Sequence, residues 1–360
     1  MEVGIVGLPV SGKTTLFSTL TGQKVEMGYG GAGKVEVHRG VVKVPDERLD
    51  RLTEIFNPRK KVPATIEYIE VGGLDKEQKD AQGFDPQFLQ VLKTTDALCV
   101  VIRAFEDPIL PHPEGSIDIV RDMQTIETEF LLSDLSIVEN RLERLEKQIK
   151  KAREEHLTRE LELMQRCHAH LEQERPLREM EFTEQEALIL RGYQFLSAKP
   201  LVVVINIDEK DIPRSEEFLT LLPEKTGVKV IALSARVELE ISQLPEEERK
   251  IFLEDMGITE PALNKLIRTS YELLGLISFF TVGEDECRAW TIRKGTPAVR
   301  AAGVIHTDLE RGFIRAEVVH YDDFIRLGSL AKCREQGVLR LEGKNYVVQD
   351  GDIITVRFNV

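Results

Sequence analysis

The segment from Gly7 to Thr14 combines the residue types that proteins use to hold a phosphate group. It reads Gly-Leu-Pro-Val-Ser-Gly-Lys-Thr and fits the G-x-x-x-x-G-K-[ST] pattern at every position. In that pattern, backbone N–H groups between the glycines converge on phosphate oxygens, the lysine brings a positive charge, and the final hydroxyl is placed to ligate Mg²⁺. We therefore predict a nucleoside-triphosphate site that uses Mg²⁺. The predicted phosphate-binding residues are Gly7, Val10, Ser11, Gly12, Lys13, Thr14 and Thr15.

A second polar motif, Asn-Ile-Asp-Glu at residues 206–209, directly follows an apolar segment. GTPases carry Asn-Lys-x-Asp at such a place, where the aspartate accepts hydrogen bonds from the guanine ring. Here the glutamate is one methylene longer and isoleucine replaces the lysine, so the motif does not indicate guanine selectivity. A polar strand end with no ligand role is the alternative. The predicted base-binding residues are Asn206, Ile207, Glu209 and, as a weaker signal, Ser234 and Ala235.

Short apolar segments precede both motifs and alternate with helical segments along the chain. The candidate strands cover residues 2–7, 65–71, 97–103, 201–205 and 228–233. This alternation is typical of a mainly parallel α/β sheet. The glycine-rich stretch at 25–34 is predicted to be a loop.

Residues 126–199 have a different pattern, in which apolar residues recur at alternating spacings of three and four. The seam runs from Leu135 to Ala152, slips in register, and resumes at Leu157. This spacing is typical of a coiled coil, and the slip predicts the tip of an antiparallel helical hairpin. One long bent helix is the alternative. Thr183, with glutamate three residues later, forms a capping box for a further helix.

The chain changes again near residue 277, where strand-like segments at residues 290–292, 313–319 and 353–356 are separated by glycine-rich turns. Residues 276–360 contain twelve Lys/Arg and twelve Asp/Glu, so this part is neutral within an acidic chain. The predicted organisation is therefore a discontinuous nucleotide-binding domain at 1–125 and 200–276, a helical insertion at 126–199, and a β-rich module at 277–360.

The bulk composition limits the classes of partner. The 360 residues carry a net charge of −14, which does not favour DNA binding by the protein as a whole. The four cysteines are scattered, and no apolar run approaches the ~18 residues of a membrane span. These features, with no signal-peptide pattern at the start, favour a cytoplasmic protein without a membrane partner.

Several short segments spread along the chain form a recognisable set. They are Gly7-Leu8-Pro9, Asn206-Ile207-Asp208-Glu209, Glu260-Pro261-Ala262-Leu263-Asn264, Arg288-Ala289-Trp290-Thr291-Ile292, Ala302-Gly303-Val304-Ile305-His306-Thr307-Asp308, Gly312-Phe313-Ile314-Arg315-Ala316 and Asp350-Gly351-Asp352. Through these segments the chain resembles the YchF/OLA-type proteins of the Obg-related P-loop NTPases over essentially its full length. The resemblance implies a nucleotide domain, an inserted coiled-coil hairpin and a C-terminal TGS domain of β-grasp type. It also implies a preference for ATP over GTP, slow hydrolysis and a ribosome or RNA-containing partner.

Three positions depart from the pattern of that family. The family's Asn-Val-Gly-Lys-Ser is Val-Ser-Gly-Lys-Thr at residues 10–14, and its switch threonine aligns with Lys34. Its Asp-x-x-Gly motif becomes Glu70-Val71-Gly72-Gly73. The metal ligands implied by the resemblance are thus Thr14 and Glu70, the latter reaching Mg²⁺ through water.

Two functional hypotheses follow, and no catalytic residue is assigned. The first is a slow ATP-preferring NTPase that couples its nucleotide state to partner binding. The second is a nucleotide-binding adaptor with little or no hydrolysis, which is favoured by Lys34, by Glu70 and by Leu74 in the place of a water-orienting glutamine. The appended β-rich module argues against a metabolic kinase.

Overall fold

The computed structural model describes residues 1–25, 36–72, 84–151 and 154–359. The chain divides into two compact units. The first consists of Met1–Gly40 and Glu67–Leu266, and the second consists of Val41–Ile66 and Ile267–Val360.

The described residues of the two units form twelve strands and fourteen α-helices. The strands are β1 (Glu2–Val6), β2 (Glu36–Lys43), β3 (Lys60–Val62), β4 (Thr65–Gly72), β5 (Ala97–Ala104), β6 (Leu201–Ile207), β7 (Val228–Leu233), β8 (Leu276–Thr281), β9 (Glu286–Arg293), β10 (Phe313–His320), β11 (Arg340–Glu342) and β12 (Asp352–Phe358). The α-helices are α1 (Lys13–Thr21), α2 (Glu47–Phe56), α3 (Pro86–Thr94), α4 (Ile119–Lys151), α5 (Glu155–Leu171), α6 (Glu184–Arg191), α7 (Ser215–Leu219), α8 (Ala235–Gln243), α9 (Glu246–Asp255), α10 (Ala262–Leu273), α11 (Ala298–Ile305), α12 (Thr307–Arg311), α13 (Tyr321–Leu327) and α14 (Leu330–Glu335). Two 3₁₀ helices cover Leu177–Glu179 and Glu209–Arg214.

The sheet of the first unit has the strand order β2-β4-β1-β5-β6-β7. The β1–β4, β1–β5, β5–β6 and β6–β7 pairs are all parallel, which confirms the predicted mainly parallel α/β sheet. Every residue of β6 is buried, as expected for a central parallel strand covered by helices on both faces. One face of the sheet packs against α3 and the first turns of α4, through residues such as Phe88, Ile126 and Phe130.

The helical insertion is a hairpin in which α4 and α5 pack antiparallel to each other, as predicted from the spacing of the apolar residues. Val138, Leu145 and Met164 are fully buried between the two helices. Arg141 on α4 joins the two helices by donating two hydrogen bonds to the Glu160 carboxylate on α5, at 2.8 and 2.7 Å. The predicted register slip at Ala152 lies outside the described residues. Helix α4 begins before residue 126, because its first turns belong to the core of the sheet.

The predicted capping box at the start of α6 is confirmed. The Thr183 Oγ1 accepts a hydrogen bond from the Glu186 N–H, and the Glu186 carboxylate accepts one from the Thr183 N–H. These reciprocal contacts satisfy two N–H groups that the first turn would otherwise leave unpaired.

The second unit is built on a mixed sheet with the order β11-β10-β12-β8-β9-β3. Helix α11 covers it through Ala298, Ala301 and Ala302, whose small side chains allow close approach to the sheet. This arrangement agrees with the expected C-terminal β-grasp module. The three strands predicted from residues 290–292, 313–319 and 353–356 are present as β9, β10 and β12.

The second unit also contains residues 41–66, which the sequence placed within the nucleotide-binding domain. Strand β3 extends the sheet by pairing in parallel with β9, and the Phe56 ring stacks on Phe324 with centroids 5.4 Å apart. The Arg48 guanidinium forms an ion pair with Asp350 at 2.8 Å. The unit is therefore assembled from two separate stretches of chain.

No helix in the described part of the chain has the length and apolar character needed to cross a membrane.

Candidate functional site

The glycine loop connects the end of β1 to the start of α1, and its two glycines lie where a side chain would collide. A Cβ atom on Gly7 would lie 2.4 Å from the Val101 carbonyl oxygen. A Cβ atom on Gly12 would lie 2.2 Å from Asn206 Nδ2, and Gly12 has a left-handed backbone with φ of 95°. Both positions therefore require glycine for packing reasons as well as for phosphate approach.

Val10 also has a left-handed backbone, with φ of 55°. A β-branched residue is strained in this region, because its Cβ substituents crowd the backbone. The loop is thus held in a shape that its own sequence does not favour at this position, which is common in ligand-binding loops.

Helix α1 presents its N-terminus to the inside of the loop. Its cap residue is Gly12, which has no side chain to accept hydrogen bonds from the first-turn N–H groups of Lys13, Thr14 and Thr15. The Lys13 Nζ donates to the Leu8 carbonyl oxygen at 2.8 Å, so the ammonium group lies over the loop. The loop thus combines N–H donors, a helix dipole and a positive charge, which together suit a phosphate anion.

The Thr14 hydroxyl donates a hydrogen bond to Glu70 Oε1 at 2.5 Å. Glu70 is 1% exposed and lies on β4, where it is in register with Ile5 of β1. A hydroxyl and a carboxylate oxygen are hard ligands of the kind that Mg²⁺ prefers. The donor set at the start of α1 therefore fits Mg²⁺, with Thr14 and Glu70 as the residues that would hold it.

Asn206, at the end of β6, connects the glycine loop to the loop after β7. Its Nδ2 donates to the Ser11 carbonyl oxygen at 3.0 Å, and its Oδ1 accepts from the Ala235 N–H at 2.9 Å. The side chain is 4% exposed. Because both ends of the amide are engaged within the protein, the geometry favours a positioning residue over a direct contact with the base.

The other predicted base-binding residues fall into two environments. Ile207 is 2% exposed and belongs to the core beneath the sheet, so its side chain is not offered to a ligand. Ser234 and Ala235 are buried at the start of α8. Glu209 alone is exposed, at the first position of a 3₁₀ helix just beyond β6.

Arg103 is a buried charged residue beside Asn206 that the sequence analysis did not single out. It lies at the end of β5, in register with Asn206, and is 3% exposed. Its guanidinium donates to the carbonyl oxygens of Phe105 at 3.0 Å and Leu110 at 2.8 Å. It therefore fixes the loop that follows β5 at the carboxyl edge of the sheet. The available signal was a charged residue at the end of an otherwise apolar strand.

Three positions that bear on hydrolysis lie outside the described residues. They are Lys34, at the place of the switch threonine, and Gly73 and Leu74, which follow Glu70-Val71-Gly72. Their roles stay predictions from the sequence.

The four cysteines are all buried and free. Burial raises the pKa of the Cys99 thiol, on β5, to about 12. The neutral thiol is therefore the stable form of this side chain at physiological pH.

Comparison with known proteins gives matches across the whole chain. A family model described as a 50S ribosome-binding GTPase matches residues 2–141, and a model for the C-terminal region of YchF GTPases, described as a protein of unknown function, matches residues 276–359. The chain is 41% identical to the ribosome-binding ATPase YchF of Bacillus subtilis (strain 168), with 100% of both chains covered. It is 39% identical to Obg-like ATPase 1 of Caenorhabditis elegans, covering 100% of this chain and 92% of that protein. The solved structure of the Schizosaccharomyces pombe YchF GTPase matches with a TM-score of 0.87 at 33% identity, covering 99% of this chain and 97% of the other.

Proposed function

Because the chain belongs to the YchF family, we propose that it is a slow nucleoside-triphosphatase that prefers ATP over GTP and couples its nucleotide state to partner binding. The contact between Thr14 and Glu70 carries the proposal. The contact places two oxygen ligands suited to Mg²⁺ beside a phosphate-binding loop. Phosphoryl transfer from a nucleotide requires this combination.

The residues of the loop bind and orient the triphosphate. The N–H groups at the start of α1 donate hydrogen bonds to the phosphate oxygens, and Lys13 adds a positive charge where negative charge develops during transfer. Thr14 and Glu70 would hold Mg²⁺ on the protein side, and the ion would further neutralise the phosphate charge. Asn206 holds the glycine loop, at Ser11, and the loop after β7, at Ala235, in fixed positions through hydrogen bonds to both.

The proposed preference for ATP rests on Glu209. Its carboxylate is exposed just beyond β6, where a shorter aspartate reads guanine in GTPases. The longer side chain changes the position of the acceptor relative to the base edge. The family resemblance, in which this glutamate accompanies ATP preference, supports the same assignment.

The proposed macromolecular partner is a ribosome or another RNA-containing particle. The YchF relatives are named as ribosome-binding, and the hairpin of α4 and α5 offers a charged surface on which a partner can dock. The β-grasp module, which we propose to be a TGS domain, is the second candidate surface. We propose that the protein acts in the cytoplasm, where such partners occur.

Single-turnover hydrolysis tests the enzymatic part of the proposal. Wild-type protein in excess over labelled ATP or GTP, with Mg²⁺, is expected to cleave ATP faster than GTP and to bind ATP more tightly. Lys13→Ala is expected to lower the rate by about 100-fold, a typical effect of removing one group that stabilises transition-state charge. Lys150→Ala, which removes an exposed lysine from the hairpin, is the matched control and keeps the wild-type rate.

The adaptor hypothesis predicts a different result in the same experiment. Wild-type protein would bind ATP, Lys13→Ala would lose this binding, and no product would accumulate over hours in either case. That outcome would keep the nucleotide site and reject the triphosphatase activity.

A further inference from the structure

A cleft of about 600 Å³ opens at the amino-terminal edge of the nucleotide sheet, the edge opposite the glycine loop. Its lining includes Asp96, Pro200 and Gly227, which directly precede β5, β6 and β7. The cleft is also lined by residues of the segment after α5, from Leu177 to Gln194. The volume lies in the range of small-molecule sites, and none of the residues proposed to bind nucleotide lines it.

The charged side chains that line the cleft are mainly basic, although the chain carries a net charge of −14. Asp96 is the only acidic residue among the lining residues, against Lys93, Arg178, Arg191 and Lys199. Such a local reversal of sign attracts an anion from solution.

Arg178 is the most buried of these cations, with 3% of its side chain exposed. One terminal nitrogen pairs with the Glu127 carboxylate and the other donates to the Ser197 carbonyl oxygen at 3.2 Å. Its Nε is buried and has no hydrogen-bond partner among the described residues. A buried guanidinium N–H without an acceptor is unfavourable, and an anion that reaches it would satisfy it.

Lys199, unlike Arg178, forms no ion pair with a carboxylate among the described residues, although the charges of Asp96 and Asp134 favour its protonated form. The Lys199 ammonium donates to the backbone carbonyl oxygens of Lys93, at 3.0 Å, and Thr95. Burial lowers the pKa of the Lys199 ammonium, because the charged form loses solvation. Lys93 is half-buried and Arg191 is exposed, and neither forms an ion pair within the described residues.

The remaining walls are apolar. Leu177, Leu190 and Phe195 are buried beneath the cleft, while Met180 and Phe182 are half-buried at its side. A ligand that carries only charge would leave these surfaces without a partner. The walls therefore favour a ligand with an apolar body as well as an anionic group.

We propose that this cleft binds a small amphipathic anion, consisting of an apolar body with a single carboxylate or phosphate group. The anionic group is recognised by the basic side chains that include Arg178 and Lys199, and the body lies along Met180 and Phe182. Because the cleft is lined by both the sheet loops and the segment after α5, an occupied cleft joins the base of the hairpin to the nucleotide sheet.

Isothermal titration calorimetry of the full-length protein with decanoate, decyl phosphate and decanol tests the proposal. At least one of the two anions is expected to bind with one-to-one stoichiometry, and decanol is expected to bind at least about tenfold more weakly, a difference of about 1.4 kcal/mol. The stronger of the two anions identifies the headgroup. Failure of both anions to bind, or equal binding of decanol, would overturn the proposal.

Variants locate the binding and separate it from the nucleotide loop. Two variants are expected to lower the affinity for the anion by about tenfold. One combines Arg191→Gln with Lys93→Gln, and the other is Phe182→Ala. Lys250→Gln, an exposed lysine on α9, and Lys13→Ala are expected to leave the affinity unchanged. The thermal midpoint of each variant without ligand shows whether it folds, and Arg191 is exposed enough for its substitution to be tolerated. Loss of binding in Lys13→Ala, or unchanged binding in both cleft variants, would place the ligand elsewhere and reject the cleft.

Discussion

Asn206 Nδ2 lies 3.0 Å from the carbonyl oxygen of Ser11 and donates a hydrogen bond to it, across 195 positions of sequence. The same side chain accepts from the Ala235 N–H, so one amide holds the phosphate loop and the base loop at a fixed distance. The shape of the nucleotide site therefore depends on a residue that lies in neither loop.

Substitution of Asn206 by alanine is expected to weaken the binding of ATP and of GTP by the same factor. The change leaves a buried carbonyl and a buried N–H without partners, which costs about 1–3 kcal/mol. Equilibrium binding of both nucleotides measures the effect, and the ratio of the two affinities is expected to stay constant. A change in the ratio alone would instead identify Asn206 as a base contact.

Glu209 is expected to control the ratio of the affinities for ATP and GTP. Glu209→Asp restores the carboxylate position of guanine-reading proteins, so the affinity for GTP relative to ATP is expected to rise by about tenfold, within the usual range for one altered contact. Competition binding measures this ratio directly. Glu216→Asp, on the nearby helix α7, serves as the control for shortening an acidic side chain. An unchanged ratio in Glu209→Asp would exclude this residue from base selection.

Glu70→Gln is expected to raise the Mg²⁺ concentration needed for tight ATP binding by about tenfold or more, as removal of a group around a metal commonly does. The amide keeps an oxygen that can accept from the Thr14 hydroxyl, but it lacks the negative charge that Mg²⁺ favours. Titration of Mg²⁺ at fixed ATP gives the midpoint. Glu67→Gln, on the same strand, is expected to leave the midpoint where it is in the wild type. The metal assignment fails if both variants behave alike.

Relief of backbone strain at Val10 is expected to stabilise the protein. Asparagine tolerates a left-handed backbone better than valine, so Val10→Asn is expected to raise the free energy of unfolding by about 1 kcal/mol, the lower end of the usual penalty. Denaturant unfolding measures the change. Val10→Ile retains the branched Cβ and is expected to stay within about 0.5 kcal/mol of the wild type. Equal effects of asparagine and isoleucine would show that the backbone is not strained here.

The buried carboxyl of Asp134, on α4, is expected to make stability depend on pH. It accepts hydrogen bonds from the N–H groups of Leu196 at 2.9 Å and Ser197 at 2.7 Å, but burial dominates and raises its pKa from 3.8 to about 6. Between these two values the folded protein binds more protons at this group than the unfolded chain does. The contribution of this group to the free energy of unfolding is therefore full below 3.8 and is lost as the pH rises through about 6.

Denaturant unfolding at pH 5 and pH 7 tests this dependence. The wild type is expected to lose more stability between the two pH values than Asp134→Asn, which cannot titrate. Glu146→Gln, an exposed position on the same helix, is expected to keep the wild-type difference. A wild type and an Asp134→Asn variant with the same pH dependence would contradict the raised pKa.

Local pattern was sufficient to predict the features in which neighbouring residues determine the structure. The glycine loop, the apolar strands, the capping box at Thr183 and the hairpin seam all have a spacing that one short window of sequence contains. The role of Asn206 could not be predicted in this way, because its partners are on other elements. The same applies to Val10, whose positive φ results from the surrounding loop and not from its own preference.

Strand β3 is the clearest case of a structure that local pattern does not indicate. It has three residues, of which two are lysines, and it forms because β9 offers an edge to pair with. Its position is reinforced by the ion pair between Arg48 and Asp350, which are 302 positions apart. Pairing between such distant segments depends on the assembled fold, so no short window predicts it.

The two-stretch origin of the second unit restricts how evolution can exchange it. A recombination event near residue 276 transfers β8 to β12 but leaves β3 and the arginine partner of Asp350 behind in the old gene. The recipient would inherit a sheet with one bare edge and a carboxylate without its cation. The two stretches are therefore expected to be inherited together, and substitutions in one to be matched by substitutions in the other.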